Sequence, residues 1–157
     1  GRFDAIALSL VLEHVPDPQN VIARAAAMLN PGGVLLVVAP NDFNPLQQLL
    51  LADGGYTPWW VVPRHHLNYF SVESLQALLA QQGVPAVEAG VSYPMEFFLL
   101  SGRNYVGHPE VGKVCHKERK AFEEVFFKHD PAALWEYYRS LAAQGIGRDI
   151  VLIGKKI

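Results

Sequence analysis

A carboxylate and a histidine stand side by side just after an apolar run near the start of the chain. Glu13 and His14 are the only acid–base pair beside that run, which extends from Phe3 to Leu10. Histidine titrates near neutral pH, so His14 could take a proton from a hydroxyl group. The triplet that begins at Glu13 could instead serve only to orient the loop. The residues themselves leave both interpretations open.

The other five histidines are candidate metal ligands by residue type, namely His65, His66, His108, His116 and His129. Their spacing matches no zinc-ligand motif, and the single cysteine, Cys115, adds little to a ligand set. We therefore expect no metal site. Cys115 cannot form an internal disulfide, and we expect it to be buried in a helix as a small apolar residue.

An aromatic cluster lies in a loop-rich segment in the middle of the chain. Tyr56, Trp59 and Trp60 are too apolar for a solvated loop, so they must cover something. They could close one end of a sheet. They could also line a cleft beyond the strand ends, where open α/β sheets bind ligands.

The elements that would position these side chains begin with one strand–helix–strand unit, Phe3 to Asn41. Its first run, Phe3–Leu10, is typical of a parallel strand covered on both faces. Asp17 and Pro18 then predict the start of a helix. The apolar face of that helix would comprise Val21, Ile22, Ala25, Met28 and Leu29.

A turn and a buried strand complete this unit, and two further elements follow. Asn30–Gly33 is expected to end the first helix, and Val34–Ala39 predicts the strand. Leu46–Leu51 could form one or two helical turns. Ser71 is a good cap for a helix over Val72–Gln82, whose inner face would be Val72, Leu75, Leu78 and Leu79.

The rest of the chain predicts a strand within Val84–Val91, an irregular connection over Met95–Gly112 and a helix over Lys113–Lys128. The inward side of that helix would comprise Val114, Cys115, Ala121, Phe122, Val125 and Phe126. Asp130, followed by proline, predicts the start of another helix with Leu134, Tyr137, Tyr138 and Leu141 inside. Asp149–Ile157 predicts a final strand.

Composition restricts the class of protein. The chain has 157 residues, of which 50% are hydrophobic and 18% are charged, which is ordinary for a single enzyme domain. A formal net charge of -2 gives no electrostatic basis for nucleic-acid binding. No apolar run approaches the ~20 residues that span a bilayer, and no signal peptide is evident. We expect a cytoplasmic protein with no nucleic-acid or membrane partner.

Three features of the sequence resemble one known family. They are a strand that leads into LEHVPDP, a helix that ends in LNPGG before a strand ending in PN, and an HLNYFS entry into an amphipathic helix. Together they resemble the second half of class I S-adenosylmethionine-dependent methyltransferases, especially the branch with the ubiquinone-biosynthesis O-methyltransferases. Residues 3 to 91 carry the likeness.

The resemblance implies an α/β fold with a partial Rossmann-like sheet. The family's strand order is 3-2-1-4-5-7-6, and this chain would supply 4-5-7-6, with the last strand of the chain antiparallel. Residues 1–157 would then form a single domain, the C-terminal half of a methyltransferase domain. Helices would flank the sheet, and residues 95–146 would be a helical insertion before the final strand.

The resemblance also implies a cofactor, S-adenosylmethionine, in the full-length protein. Ser9 and Leu10 would approach its methionine and methyl region, although Ser9 could instead hydrogen-bond its own strand end. The chain begins almost directly on a strand and contains no G-x-G-x-G segment, which in the family holds the methionine part. We therefore expect a fragment that binds the cofactor weakly or not at all and is inactive alone.

The acceptor side of the site combines the candidate residues above with the same resemblance. His14 would be the catalytic base, and the acceptor would be a small molecule, with oxygen favoured over nitrogen. The residues expected to border it are Asn41, Trp59, Trp60, His65 and His66. By the resemblance, His66 matches a recurrent histidine of the family, which either borders the acceptor or holds the loop in place. The insertion could act as a lid.

An exposed first strand would favour pairing with another chain, so we expect a homo-oligomer. A rival hypothesis is a non-enzymatic half-domain that serves assembly or regulation. A dehydrogenase-type nucleotide-binding module fits the motifs less well. The sequence upstream of Gly1 would separate the first two, because a strand followed by a glycine-rich turn favours the enzyme.

Overall fold

Four strands and six α-helices make up a computed structural model that describes residues 2–157. A short 3-10 turn, Leu12–His14, follows the first strand. The strands are β1 (Phe3–Ser9), β2 (Leu29–Pro40), β3 (Ala86–Val91) and β4 (Asp149–Lys155). The helices are α1 (Pro18–Met28), α2 (Pro45–Ala52), α3 (Val72–Gln81), α4 (Glu96–Leu100), α5 (Pro109–His129) and α6 (Pro131–Ala142).

The strands form one sheet in the order β1-β2-β4-β3. β1 and β2 are parallel, whereas β4 runs antiparallel to both β2 and β3. This is the 4-5-7-6 arrangement with an antiparallel last strand, so the predicted fold class is confirmed. The parallel pair matters most for function, because the carboxyl ends of β1 and β2 meet at one edge of the sheet.

The predicted helix caps are confirmed at three positions. The side chains of Asp17, Ser71 and Asp130 accept hydrogen bonds from backbone N–H groups in the first turns of α1, α3 and α6. A fourth cap was not predicted: Asn44 begins α2 and forms a reciprocal capping box with Gln47. Local polar chemistry therefore sets where most helices begin.

The core lies between the sheet and the helices packed on it. The central strands contribute the fully buried side chains of Leu35, Val37, Ile150 and Leu152. Helices α1, α3 and α6 contribute the buried residues Ile22, Ala25, Leu75, Leu79, Leu134, Tyr138 and Leu141. Along residues 2–157, no helix combines the length and the apolarity that crossing a membrane requires.

Two predictions about the first unit are wrong in detail. β1 is not covered on both faces: it lies at a sheet edge, and Phe3 is 51% exposed. Met28 is 45% exposed, and Leu29 belongs to β2. The backbone becomes extended at Leu29, which ends the helix there, and the buried face of α1 is formed by Ile22, Ala25 and Ala26, so Met28 lies outside it.

The region 95–146 also differs from expectation. Its first part is not wholly irregular, because it contains α4 and the first turn of α5. The helix α5 buries Cys115, as predicted, but leaves four of the residues predicted to point inward exposed, namely Val114, Ala121, Phe122 and Val125. Cys115 packs with Met95 and Phe98, and α5 therefore contacts the rest of the chain along a narrow line. Sequence periodicity marks an apolar stripe without showing how much of it finds a neighbour.

Candidate active site

A cavity of about 380 Å³ opens where β1 and β2 end. Residues from the strand ends, the 3-10 turn, the aromatic segment and the turn before β4 line it: Leu10, Glu13, His14, Pro40, Asp42, Gln47, Trp59, Trp60, Val62, His66, Arg148 and Asp149. This is the edge of a parallel pair at which α/β proteins bind ligands. Its wall combines acidic, imidazole and aromatic side chains.

The backbone is unusual at both strand ends. Leu10, after β1, has a φ of 54°, and Phe43, after β2, has a φ of 57°; within residues 2–157 these are the non-glycine residues with positive φ. Side chains seldom adopt this region without support from their surroundings. Hydrogen bonds from Leu10 N to Val38 O (2.9 Å) and from Asp42 N to Phe70 O (3.0 Å) fix the backbone just after the two strands. The chain thus turns sharply just after each strand, where Leu10 and Asp42 line the cavity.

The 3-10 turn that carries Glu13 is fixed from the opposite side by Asn68. The side-chain amide of Asn68 donates to Leu12 O (2.9 Å) and to Val15 O (2.7 Å). The backbone N–H groups of Leu67 and Asn68 both donate to Glu13 O. Sequence reasoning missed Asn68, although it is the asparagine of the HLNYFS motif. That motif therefore clamps the LEH motif.

His14 has one ring nitrogen bound and the other directed at a carboxylate. Its Nδ1 lies 2.6 Å from His65 O, and its Nε2 lies 3.5 Å from Glu13 Oε1. A carbonyl oxygen only accepts, so Nδ1 carries a proton and the neutral ring keeps its lone pair at Nε2. The side chain is 47% exposed. His14 can therefore pair with Glu13 only when Nε2 also carries a proton.

Glu13, His14 and His66 form the one group of three potential metal ligands found among residues 2–157. Each offers one ligand atom, and the three atoms lie within 4.8 Å of one another. The rings of His14 and His66 meet edge to face at 5.1 Å. Spacing along the sequence does not reveal this trio, because His66 is far along the chain from Glu13 and His14. Their oxygen and nitrogen atoms could hold a cation.

Asp42 is the second buried carboxylate of the cavity, and sequence reasoning missed it. The residue is 6% exposed. Burial raises the pKa of Asp42 to about 7; Arg148 opposes this increase, while the carboxylates of Glu13, Asp149 and Glu96 add to it. Its Oδ2 atom finds no hydrogen-bond partner in the described chain, and neither does Glu13 Oε2. The signal in the sequence was an acidic residue directly after the end of a parallel strand.

Beneath the cavity, α2 is tied to the helical region by Glu96. This residue is fully buried, and its Oε1 accepts from Gln47 Nε2 (3.1 Å) and Asn44 Nδ2 (3.4 Å). Gln47 also lines the cavity. A side chain of α4 thereby supports the floor of the site.

The aromatic segment forms one wall. Trp59 and Trp60 line the cavity and contact each other edge to face, with ring centroids 4.8 Å apart. Tyr56 packs behind Trp59 at 5.5 Å, and Phe43 packs on Trp60 at 5.6 Å. The indole N–H of Trp60 is buried and has no acceptor within residues 2–157. These residues both cover the strand ends and leave a cleft.

The cavity brings together five of the eight residues that we proposed for the site, namely Leu10, His14, Trp59, Trp60 and His66. The other three lie outside its lining. Ser9 is exposed on β1, and the His65 side chain is also exposed. The amide of Asn41 donates to Gly145 O (2.8 Å) and Gly147 O (3.0 Å), which ties the end of β2 to the turn before β4.

Comparisons with known proteins agree with this architecture. A family model described as a methyltransferase domain matches residues 1–89. The ubiquinone biosynthesis O-methyltransferase of Caulobacter vibrioides is 36% identical over 107 residues, which cover 66% of this chain and 40% of that protein. The enzyme of the same name from Bordetella avium is 32% identical over 114 residues, covering 69% and 47%.

A solved structure shows the same fold. The S-adenosylmethionine-dependent methyltransferase from Archaeoglobus fulgidus aligns with a TM-score of 0.54 at 15% identity, over 99% of this chain and 60% of that one. The chain spans less than half the length of the two curated relatives above. The family model nevertheless matches more than half of this chain, residues 1–89 of 157. The chain therefore belongs to the class I S-adenosylmethionine-dependent methyltransferase family.

Proposed function

We propose that the full-length protein transfers a methyl group from S-adenosylmethionine to an oxygen atom of a small molecule, and that the transfer takes place at the cavity where β1 and β2 end. The observation that carries this proposal is the cavity itself, which sets two buried carboxylates, Glu13 and Asp42, opposite a tryptophan wall. The names of the curated relatives support an oxygen acceptor.

The residues present fit one end of the cofactor. S-adenosylmethionine supplies an electrophilic methyl group on a positively charged sulfur. Glu13 Oε2 is buried without a partner in the described chain, so an anionic group is available to face that charge. Leu10 turns sharply at the end of β1 and gives apolar contact beside it. These two residues would border the methyl-bearing end.

The residues that would hold the other end are not in this sequence. The 157 residues contain no G-x-G-x-G segment. We propose that the isolated chain binds S-adenosylmethionine weakly and is inactive by itself. Saturable micromolar binding of the cofactor to the isolated chain, measured by calorimetry, would contradict this.

The acceptor would be oriented by the aromatic wall. Trp59 and Trp60 present flat apolar surfaces, and the unpartnered Trp60 N–H can donate to an acceptor oxygen. Methyl transfer needs the nucleophile in line with the bond that breaks, so this positioning is a main contribution of the protein to the rate. His66, at the edge of His14, borders the same space.

Incubation of the full-length protein with methyl-deuterated S-adenosylmethionine would test the proposal. One hydroxyl acceptor, 3,4-dihydroxybenzoate, and one amine acceptor, sarcosine, serve as matched probes. We expect mass spectrometry to find label in the methyl ether and none in the amine. Labelled amine alone would move the proposal to nitrogen acceptors, and an absence of label in either probe would count against small-molecule methyl transfer of this kind.

A rival function in assembly or regulation draws support from β1. Its outer edge pairs with no strand among residues 2–157, and Phe3 is 51% exposed. Such an edge is a template for pairing with another strand. We propose that the isolated chain self-associates through β1. A monodisperse monomer in analytical ultracentrifugation would contradict self-association, and a glycine-rich strand–turn segment upstream of Gly1 would favour the enzyme over the rival.

A further inference from the structure

We infer that Asp42 accepts the proton of the acceptor hydroxyl, and that His14 instead positions Glu13. This assignment rests on the proposed methyl transfer and deepens it, because it requires an acceptor that loses a proton during the reaction. It replaces our sequence-based hypothesis that His14 is the base.

The position of Asp42 suits a base. It lies just beyond the end of β2, where its backbone N–H donates to Phe70 O at 3.0 Å and fixes the start of the side chain. The residue is 6% exposed and lines the cavity. No group in residues 2–157 satisfies its Oδ2. A buried carboxylate oxygen without a protein partner is well placed to bind a donor on a ligand.

His14 is less well placed for the same step. Its Nδ1 is bound to His65 O, so proton acceptance would fall to Nε2. Nε2 lies 3.5 Å from Glu13 Oε1, and a proton there would be shared with that carboxylate. The histidine side chain is 47% exposed, whereas that of Glu13 is 2% exposed. When Nε2 also carries a proton, His14 pairs with Glu13 and can hold it in place, while the exposed ring stays open to water.

The charges around Asp42 favour reversible protonation near neutral pH. Burial raises its pKa to about 7, and the carboxylates of Glu13, Asp149 and Glu96 act in the same direction. Arg148 opposes them and keeps the charged form accessible. The rings of His14 and His66 line the same cavity. A base whose pKa lies near the working pH can both take a proton and release it.

The proposed step balances. The acceptor hydroxyl gives its proton to Asp42 Oδ2, and an electron pair of the acceptor oxygen forms the new O–CH3 bond. The S–CH3 bond breaks, and its electron pair stays on sulfur as a neutral thioether. The positive charge lost from sulfur is carried by the proton on Asp42. That proton then passes to solvent on the open side beside the exposed Arg148.

The test compares pH profiles of kcat/KM for the full-length protein with 3,4-dihydroxybenzoate as the probe acceptor. Asp42→Asn keeps the shape of the side chain and removes the base, whereas Asp53→Asn makes the same change at an exposed position after α2. We expect the wild type and Asp53→Asn to lose rate as the pH falls below about 7. In Asp42→Asn, kcat/KM should be lower by about 100-fold or more at neutral pH. Its pH profile should also lack the fall in kcat/KM below about pH 7, which we call the acid limb.

His14→Gln provides the discriminating variant. We expect it to raise KM or lower the rate while keeping the acid limb, because the titrating group remains. If Asp42→Asn keeps the acid limb, the assignment to Asp42 is overturned. If His14→Gln then abolishes the limb, the base is His14.

A second readout does not require turnover. Aspartate carboxyl carbons labelled with carbon-13 can be titrated by NMR in the full-length protein, with the Asp42 signal identified by its loss in Asp42→Asn. A midpoint near 7 supports the assignment, and a midpoint below about 5 overturns it, because burial would then not have shifted the group. A wild type that methylates neither probe would count against the proposed function, and the titration would still decide whether Asp42 binds a proton at neutral pH.

Discussion

The strand-end cavity and the helical region 95–146 place their carboxylates in different surroundings. In the cavity, Glu13, Asp42, Trp60 and His66 each hold a buried polar atom that no group in residues 2–157 satisfies. In the helical region, several carboxylates are paired: Glu118 with Arg103, and Glu123 with both Arg119 and the Tyr138 hydroxyl. Three buried polar atoms there, Glu96 Oε2, Tyr105 OH and Arg119 Nε, also have no partner within residues 2–157. The four unpartnered groups of the first set share one cavity, where the strands end.

The difference indicates what each region is for. Buried polar groups normally have partners, and a cluster without them marks a binding or catalytic site. Paired charges and aromatic contacts, such as Phe122 on Tyr93 at 5.5 Å, instead hold helices together. Glu96 connects the regions, because it belongs to α4 but bonds to Gln47 in the cavity floor. Four substitutions test how separate the two regions are.

The largest expected effect is that of Asp42→Asn on stability. The pKa of Asp42 rises from 3.8 to about 7 on folding. Between these values the folded protein holds a proton that the unfolded chain has released, so the free energy of unfolding falls as pH rises through this window. The asparagine variant escapes this loss. Urea unfolding at pH 4 and at pH 8 gives the difference in the free energy of unfolding between Asp42→Asn and the wild type. From pH 4 to pH 8, this difference should shift by about 2 to 4 kcal/mol in favour of the variant.

Equal stability differences at the two pH values would contradict this prediction. The combination of higher stability with lower activity is the expected mark of a functional group held in an unfavourable environment. Asp53→Asn, at an exposed position, serves as the control and should change neither the free energy of unfolding nor the activity.

Next in size is Glu96→Ala, which breaks the connection between the regions. The change leaves the amides of Asn44 and Gln47 without their buried acceptor. We expect a loss of about 2 to 3 kcal/mol in urea unfolding, together with a higher KM, because Gln47 lines the cavity. Glu96→Gln keeps an acceptor oxygen and should lose less. If the two variants are equally destabilised, the hydrogen bonds to Gln47 and Asn44 are not what Glu96 provides.

Asn68→Ala removes the clamp on the turn that carries Glu13. Two hydrogen bonds, to Leu12 O and Val15 O, are lost. We expect about 1 to 2 kcal/mol of destabilisation and a roughly tenfold fall in kcat/KM, because Glu13 and His14 lose their fixed position. The matched change in the helical region, Asn104→Ala, removes one local bond to Val106 N and should leave kcat/KM unchanged. A fall of similar size in both variants would argue against a specific clamp.

The smallest effect is expected for Val125→Lys on α5. We predicted from periodicity that Val125 points inward, but it is 59% exposed. A charged residue there should change the free energy of unfolding by no more than about 0.5 kcal/mol, measured by urea titration. A loss above about 1 kcal/mol would mean that Val125 is covered in solution, for example by another copy of the chain. Val114→Lys, at a similarly exposed position, provides a replicate.

Part of the site could be predicted from the sequence, because some of its signals are local. His14, Trp59, Trp60 and His66 stood out by residue type and lie at the cavity. Asn41 was also proposed for the site, but its amide instead donates to the carbonyls of Gly145 and Gly147. Asn68 and Asp42 were missed because their importance depends on which distant groups they face. Nothing in their immediate neighbours shows this.

The sequence by itself determined most of the elements but not α4, the helix starts at Asp17, Ser71 and Asp130, and the order of the sheet through its likeness to a known family. Caps and periodicity act over a few residues, so a linear pattern contains them. Tertiary structure decided the rest: which face of α5 is covered, and where Asp42 meets Glu13 and Arg148. Burial and electrostatic coupling depend on distances between segments that are far apart in the chain, and only the folded arrangement of β1, β2 and β4 sets those distances.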